Sequence, residues 1–426
     1  MHDVLDLRDL VADELAQRRE TGHDVAALEP VVAAAVRAGD AARLEEVLER
    51  LEALAPDPAW QYEEPTASGE IRACLGAAPA AAPAPAQLGD RLHAAWLGRC
   101  AGCLLGKPVE GWPRETIRDG LARAGIRAVE DYLPPLEGLP LHRSWKESTR
   151  GRIAGMARDD DIDYTILGLH VLETHGRGYT SRDVADEWLD HLPFTQVYTA
   201  ERAAYRNLVG GLQPPETAIR RNPYREWIGA QIRADVFGYV SPGDPRGAAA
   251  LAYPDAALSH VANGIYGELW AAALIAASFT AASMPAALGA ALAEIPPRSR
   301  LAEALRDVAA AHAAGATWDQ ARDGIEARLG HYGFVHTINN AAVVAAALLW
   351  GEGDFTRTIA LAVTGGWDTD CNGATAGSAF GAMHGTAALP GHWTEPLQDR
   401  VRSAIVGFDG ASIAALADRT ARLAAR

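Results

Sequence analysis

The chain has 426 residues, enough for one large domain with a smaller piece attached. Its 39 Lys and Arg against 55 Asp and Glu give a net charge of −16, which argues against a general nucleic-acid surface or an anionic membrane as partner. Both of those need clustered basic side chains. Charged residues make up 22% and Ala is abundant, the balance of a soluble, helix-rich globular protein.

The opening "MHDVLDLRDL" has no basic n-region and no apolar h-region, so the expectation is a cytoplasmic protein without a secretory leader. Residues 3–55 read as short amphipathic helices, with Leu44, Val47, Leu48, Leu51 and Leu54 forming one apolar stripe. "GAAPAAAPAPAQ" at 76–87 is an Ala/Pro linker. The predicted organisation is an accessory helical region at 1–75, the linker at 76–87 and a main domain at 88–426.

From Leu88 onward helix-like segments alternate with loops rich in Pro and Gly, such as "LPPLEGLPLHRSW" (133–145), and no alternating strand pattern is present. The domain is therefore predicted to be all-α. Gly98, Gly102 and Gly106 are four apart, as are Gly373, Gly377 and Gly381. Such a ridge lets a second helix approach closely, and close packing must offset the 0.5–1 kcal/mol or so that each Gly costs in a helix interior. The uncharged run from Leu269 to Ala293 is Ala-rich and interrupted by Pro285, which predicts two core helices meeting near Met284-Pro285, not a membrane span. Cys74, Cys100, Cys103 and Cys371 are too few and scattered for a disulfide framework, and the C-x-x-C of Cys100 and Cys103 reads as small buried residues on a helix.

Three stretches carry chemistry. "GRCAGCLLGKPVEGW" (98–112) ends a glycine ridge at Lys107-Pro108 and presents Glu110 in the following turn. "ARDDDIDYT" (157–165) crowds Asp159, Asp160, Asp161 and Asp163 at the start of an apolar helix. One Asp suffices as an N-cap, and four exceed what capping needs. "TGGWDTDCNGATAGSAFG" (364–381) repeats the design, with a Gly-rich turn, Asp368-x-Asp370 and a helix of small residues. Brought together, these carboxylates need cations, and oxygen ligands indicate hard ions, Mg²⁺ or Mn²⁺, with room for two.

"GCLLGKPVE", "DDDI" and "GGWDTDC" resemble, in order, the G-D-A-L-G-x-P-V-E, T-D-D-T and G-G-D-x-D-T motifs of the ADP-ribosylglycohydrolase family, over about residues 90–425. The resemblance implies an all-α orthogonal multi-helix bundle around two Mg²⁺ (or Mn²⁺), here with a small N-terminal helical appendage. It implies Asp159, Asp160, Asp161, Asp368, Asp370 and Cys371 as the metal set, Asp159 standing for a ligand Thr and Cys371 for another. Glu110 falls beside the substrate ribose, and Glu110, Asp161 and Asp370 are the expected catalytic residues. Departures are Cys103 for the usual Asp, the extra Trp367, and the added carboxylates Asp159 and Asp163.

The middle of the chain is expected to shape specificity, through His260, Asn263 and Tyr266, with Gly366 and Trp367 near the base or ribose. His336, Asn339 and Asn340 open another apolar helix and read as structural. The implied activity is metal-dependent hydrolysis of a ribosyl N-glycosidic or O-glycosidic bond, removing ADP-ribose from a modified protein or small molecule. Two other readings fit the same residues: a hydrolase of a free nucleoside, nucleotide or ribosylated metabolite, and a non-catalytic ADP-ribose-binding protein.

Overall fold

The structure is a computed structural model and describes residues 2–77, 80–136 and 138–425. Residues 78 and 79 of the expected linker, and Glu137 of the 133–145 loop, lie outside the described residues. Among the described residues there are twenty-two α-helices and no strand beyond three isolated bridges. No helix is long and apolar enough to cross a membrane.

The helices that bear on the site are numbered in chain order: α1 (Leu7–Glu20), α2 (Glu29–Ala38), α3 (Ala41–Glu52), α4 (Leu88–Gly106), α5 (Asp160–His175), α6 (Ser181–His191), α7 (Ala262–Ser278), α8 (Met284–Leu292), α9 (Arg300–Ala313), α10 (Thr337–Trp350) and α11 (Thr369–His384).

The two glycine ridges are each other's partner. α4 and α11 run antiparallel with their backbones in contact. A Cβ on Gly98 would lie 2.2 Å from the Gly377 carbonyl oxygen, and one on Gly102 would lie 1.9 Å from that of Gly373. At Gly106 the neighbour is the Thr369 carbonyl oxygen at 2.2 Å, and Thr369 Oγ1 donates back to the Gly106 carbonyl at 2.8 Å. No side chain larger than hydrogen fits this seam. The pairing carries the end of the first motif to the start of the third.

The Ala-rich run divides near Pro285 as predicted, but only its first helix is core, since α8 buries only Ala287 and Ala291. α7 is buried on every side, and α8 begins after Ser283 caps Ala286 N–H, with Pro285 in its first turn. A helix apolar all round belongs in the core. Ser, Gly and Ala let its neighbours pack near its axis.

The first 75 residues form a helical layer with its own apolar cluster, in which Leu44, Val47, Leu48 and Leu51 of α3 meet Val11 of α1 and Val32 of α2. The layer is bolted to the main body by buried charge pairs. Arg225 Nη1 donates to Glu14 Oε2 at 2.7 Å, Arg300 Nη2 to Glu64 Oε2 at 2.8 Å, and Gln17 Nε2 to Glu226 Oε2 at 2.8 Å. The described part of the linker is extended, and Ala82 N–H donates to the Gly243 carbonyl at 2.9 Å.

Candidate metal centre and active site

The N-termini of α5 and α11 converge on one point, so two positive helix ends face the same carboxylates. Asp159 is the N-cap of α5, its Oδ1 accepting from Asp161 N–H at 3.0 Å. Asp368 occupies the cap position of α11 without a capping bond of its own, which leaves its carboxylate free for another partner. Candidate ligand atoms of Asp368, Asp370 and Cys371 lie within 4.8 Å of one another, and so do those of Cys103, Asp159 and Asp161. Cys371 Sγ donates to Asp161 Oδ2 at 3.2 Å and joins the two groups. Stretches over 200 residues apart in sequence thus build one cluster.

Glu110 arrives by a backbone clamp. After α4 the chain makes one 3-10 turn, Lys107–Val109, and Glu110 follows. Gly111 N–H then donates to the Trp367 carbonyl at 2.9 Å, and Trp367 N–H to the Trp112 carbonyl at 2.9 Å. Gly366 at φ +82° and Trp367 at φ +69° both sit in the left-handed region. A Cβ on Gly366 would lie 2.6 Å from Arg114 N, so glycine is required there. The extra residue noted in the third motif is this clamp. The Trp367 indole is buried, and the Arg322 guanidinium covers it at 4.0 Å from the ring centroid. That places the indole in the protein interior, not on an open substrate face.

Burial and mutual repulsion raise most of these acids. Burial and then the Asp368 charge push Glu110 up to about 8, and burial with Asp159 pushes Asp160 up to about 6. Asp161, Asp368 and Asp370 rise well above the usual carboxylate range, chiefly through burial. Asp159 is the exception: burial opposes its charge, but the Lys107 ammonium holds it down at about 2. Lys107, only 6% exposed, forms an ion pair with Asp159 Oδ2. Both Asp159 oxygens therefore have protein partners, and a metal ion at this position would share the carboxylate with Lys107.

Arg99 fixes the other side. Fully buried on α4, its Nη2 donates to the Asp161 carbonyl at 2.7 Å, and its Nη1 lies 2.9 Å from Asp235 Oδ2. Asn340 on α10 holds the third motif, its Oδ1 accepting from Asp368 N–H at 3.2 Å and from Asn372 Nδ2 at 2.8 Å. Lys107, Arg99 and Asn340 were absent from the predicted site. A lysine beside a glycine ridge and one residue-pair before a turn acid was the available signal for Lys107; Arg99 had none.

Asp163 does not join the cluster. Its carboxylate is taken up elsewhere: Oδ1 accepts from Ser403 Oγ at 2.7 Å and Ala404 N–H at 2.9 Å, and Oδ2 from Arg158 Nε at 2.8 Å. It ties α5 to the C-terminal loop. Cys103 is buried within the cluster, and burial and the surrounding carboxylates push its thiol well up, so it is a neutral neighbour.

His260, Asn263 and Tyr266 have structural partners: Tyr266 and Asn263 are seated toward the N-terminal layer, and His260 lies beside Ser259 and Glu201. His260 is fully buried, Nδ1 against Ser259 Oγ at 2.8 Å. Asn263 Nδ2 donates to Glu226 Oε1 at 2.9 Å while its Oδ1 accepts from Leu301 N–H at 3.1 Å, and the Tyr266 hydroxyl donates to the Pro65 carbonyl. A cavity of about 570 Å³ lies at the same seam, lined by Arg19, Trp60, Tyr62, Arg300 and Tyr332 among others.

The donor set fits hard divalent ions. Asp370 Oδ1 is buried without a hydrogen-bond partner, the cluster is oxygen-rich, and Lys107 and Arg99 cannot neutralise all its acids. Asp160 and Glu110 are its partly exposed members and mark its open side.

The family model described as ADP-ribosylglycohydrolase matches residues 83–426. The chain belongs to the ADP-ribosylglycohydrolase family. A solved structure titled "ADP-ribosylglycohydrolase-related protein complex" is similar in fold, with a TM-score of 0.51 and 21% identity over 79% of this chain and 99% of that one. Comparison with the curated proteins returns no match. Family membership assigns a hydrolase acting on glycosidic bonds, in a family whose members are generally metal-dependent and act on ADP-ribosylated substrates.

Proposed function

We propose that the chain hydrolyses a ribosyl N- or O-glycosidic bond, releasing ADP-ribose from a modified protein or small molecule. The observation that carries this reading is the convergence of Asp159, Asp161, Asp368 and Asp370 beside a partly exposed Glu110, with Asp160 near enough for its charge to raise Asp161 and Asp368 and a buried Asp370 oxygen left unpartnered. Asp160, Asp161, Asp368 and Asp370 would hold two Mg²⁺ or Mn²⁺, with Asp159 shared between them and Lys107, and the buried Cys371 between the two groups as a thiol donor to Asp161. Bound there, such ions supply Lewis acidity toward ribose and water oxygens.

The chain's own groups do the rest. Glu110, on the open side of the cluster, can give a proton to a departing group or take one from water. Asp161 and Asp370, ionised when they hold the ions, would contribute negative charge beside a developing oxocarbenium ion. Arg99 and Asn340 keep the two helix starts from drifting, so the carboxylates meet substrate in one geometry. Four free cysteines support a reducing, cytoplasmic setting.

The test is turnover on ADP-ribosyl-arginine, ADP-ribosyl-serine and a nucleoside panel, with Mg²⁺, with Mn²⁺ and with EDTA. Metal-dependent release of ADP-ribose supports the reading. Cleavage of nucleosides alone replaces the substrate class and keeps the centre, and tight ADP-ribose binding without turnover on any substrate overturns the enzyme.

A further inference from the structure

A second cluster of metal-ligating side chains stands apart from the carboxylates, on the later turns of α5 and on α6. His170 Nε2 lies 3.1 Å from Glu187 Oε2, and His191 Nδ1 lies 2.8 Å from the same oxygen. The three donor atoms are within 4.8 Å of one another. Two ring nitrogens thus converge on one carboxylate oxygen that is only 7% exposed as a residue.

Their hydrogen bonding is incomplete. Glu187 Oε2 and His191 Nδ1 are both buried and neither has a directed hydrogen bond, despite their short separation. The ring edge meets the oxygen without an N–H pointing along the contact, an arrangement that suits a shared cation better than a proton. The other carboxylate oxygen is already engaged, with His175 Nε2 at 2.8 Å from Glu187 Oε1. His175 Nδ1 in turn faces Asp183 Oδ1 at 3.6 Å. This is the outer support that orients a ligating carboxylate at metal sites.

We propose that His170, Glu187 and His191 form a binding site for one zinc-class divalent ion, with His175 and Asp183 as its outer shell. Two imidazole nitrogens and one carboxylate oxygen select a borderline d-block ion over Mg²⁺ or Mn²⁺. Ligand bonds of about 2.0–2.1 Å in tetrahedral geometry put donors about 3.3 Å apart, so the observed spacings open only slightly on binding. The side chains of His170 and His191 are 22% and 28% exposed, which gives the ion a route from solvent and leaves a fourth position for water. The ion would clamp α5 to α6. The His191 carbonyl also accepts from Val406 N–H at 3.0 Å, which brings the C-terminal loop against the same corner.

The experiment is zinc titration of the metal-stripped, full-length protein against a chromophoric chelator, with cobalt spectra as a second readout. The wild type and an Asp161→Asn/Asp370→Asn variant should both bind one zinc tightly and give the intense visible bands of a low-symmetry, imidazole-ligated cobalt ion. His170→Gln and His191→Gln should each lose more than the ~10–100-fold that removal of an outer partner costs. His175→Gln, which leaves the ligands in place, should weaken zinc within that range while its thermal midpoint without metal stays that of the wild type, so a folding failure elsewhere does not decide the result. Wild-type zinc affinity in His191→Gln and His170→Gln, or loss of zinc binding in Asp161→Asn/Asp370→Asn with the histidines intact, overturns the proposal.

Discussion

Lys107, at the end of α4, pairs with Asp159, the cap of α5, inside the carboxylate cluster. The chain thereby neutralises with its own ammonium the carboxylate that stands where the family motif has a Thr. Breaking a buried pair by removing one partner typically destabilises by about 3–5 kcal/mol, because the other charge is left uncompensated. Lys107→Met should therefore melt well below the wild type in EDTA and recover more of its midpoint than the wild type does on adding Mg²⁺. Equal midpoints in EDTA would show that Asp159 is neutral without Lys107.

The seam between α4 and α11 makes a sharp contrast among glycines. Gly102→Ala places a methyl 1.9 Å from the Gly373 carbonyl oxygen and should destabilise by about 1–3 kcal/mol or more, read as a lower urea midpoint. Gly324→Ala, in a helix where nothing lies within 4 Å of the new Cβ, should instead stabilise by about 0.5–1 kcal/mol.

Asn340 is a positioning residue. Asn340→Ala leaves the buried Asp368 N–H and Asn372 amide without their acceptor and should destabilise by about 1–3 kcal/mol. If turnover is established, kcat should fall with KM nearly unchanged, since the residue touches the third motif and not the open side of the site. An equal rise in KM would place Asn340 at the substrate.

Glu20 gives the seam a pH dependence separate from the acidic cluster. Burial, then the Glu226 charge, raise its carboxyl from 4.5 to about 7, and His336 Nε2 stands 3.9 Å away. The folded state holds this proton more tightly than the unfolded chain does, so the contribution of Glu20 to stability is full below pH 4.5 and is lost as pH rises through 7. The penalty at pH 8 is at most about 3 kcal/mol. Glu20→Gln should raise the denaturation midpoint at pH 8, have little effect at pH 5, and flatten the slope between them.

The parts legible in the sequence were those encoded by short-range spacing. Glycines four apart announce close helix packing, and Asp clusters before apolar runs announce helix starts with surplus charge; both signals survive without knowledge of the partner. What they could not say was which ridge meets which, or that Arg99 would brace Asp161, because those facts depend on the docking of helices far apart in the chain. Asp163 was misplaced for a related reason. Counting carboxylates in a window says nothing of what each one meets, and both oxygens of Asp163 are taken by Arg158 and by Ser403 and Ala404 of the C-terminal loop. Tyr266 looked like a pocket residue because nothing local announces that Pro65 takes its hydroxyl, and the partners of His260 and Asn263, Ser259 and Glu226, gave no sign of themselves either. The accessory region carried no chemical motif, yet Glu14, Gln17 and Glu64 supply buried partners to Arg225, Glu226 and Arg300.

The glycine contacts between α4 and α11 also limit how the molecule can move. Helices that meet through side chains can slide by switching rotamers; two backbones touching along three successive turns have no rotamers to switch. Glu110 and the Asp368–Asp370 pair are mounted on the ends of this rigid beam. Any opening or closing during a working cycle must then come from the loops around residues 140–158, which bring His142 to within 3.9 Å of Glu110, while the floor of the site stays still.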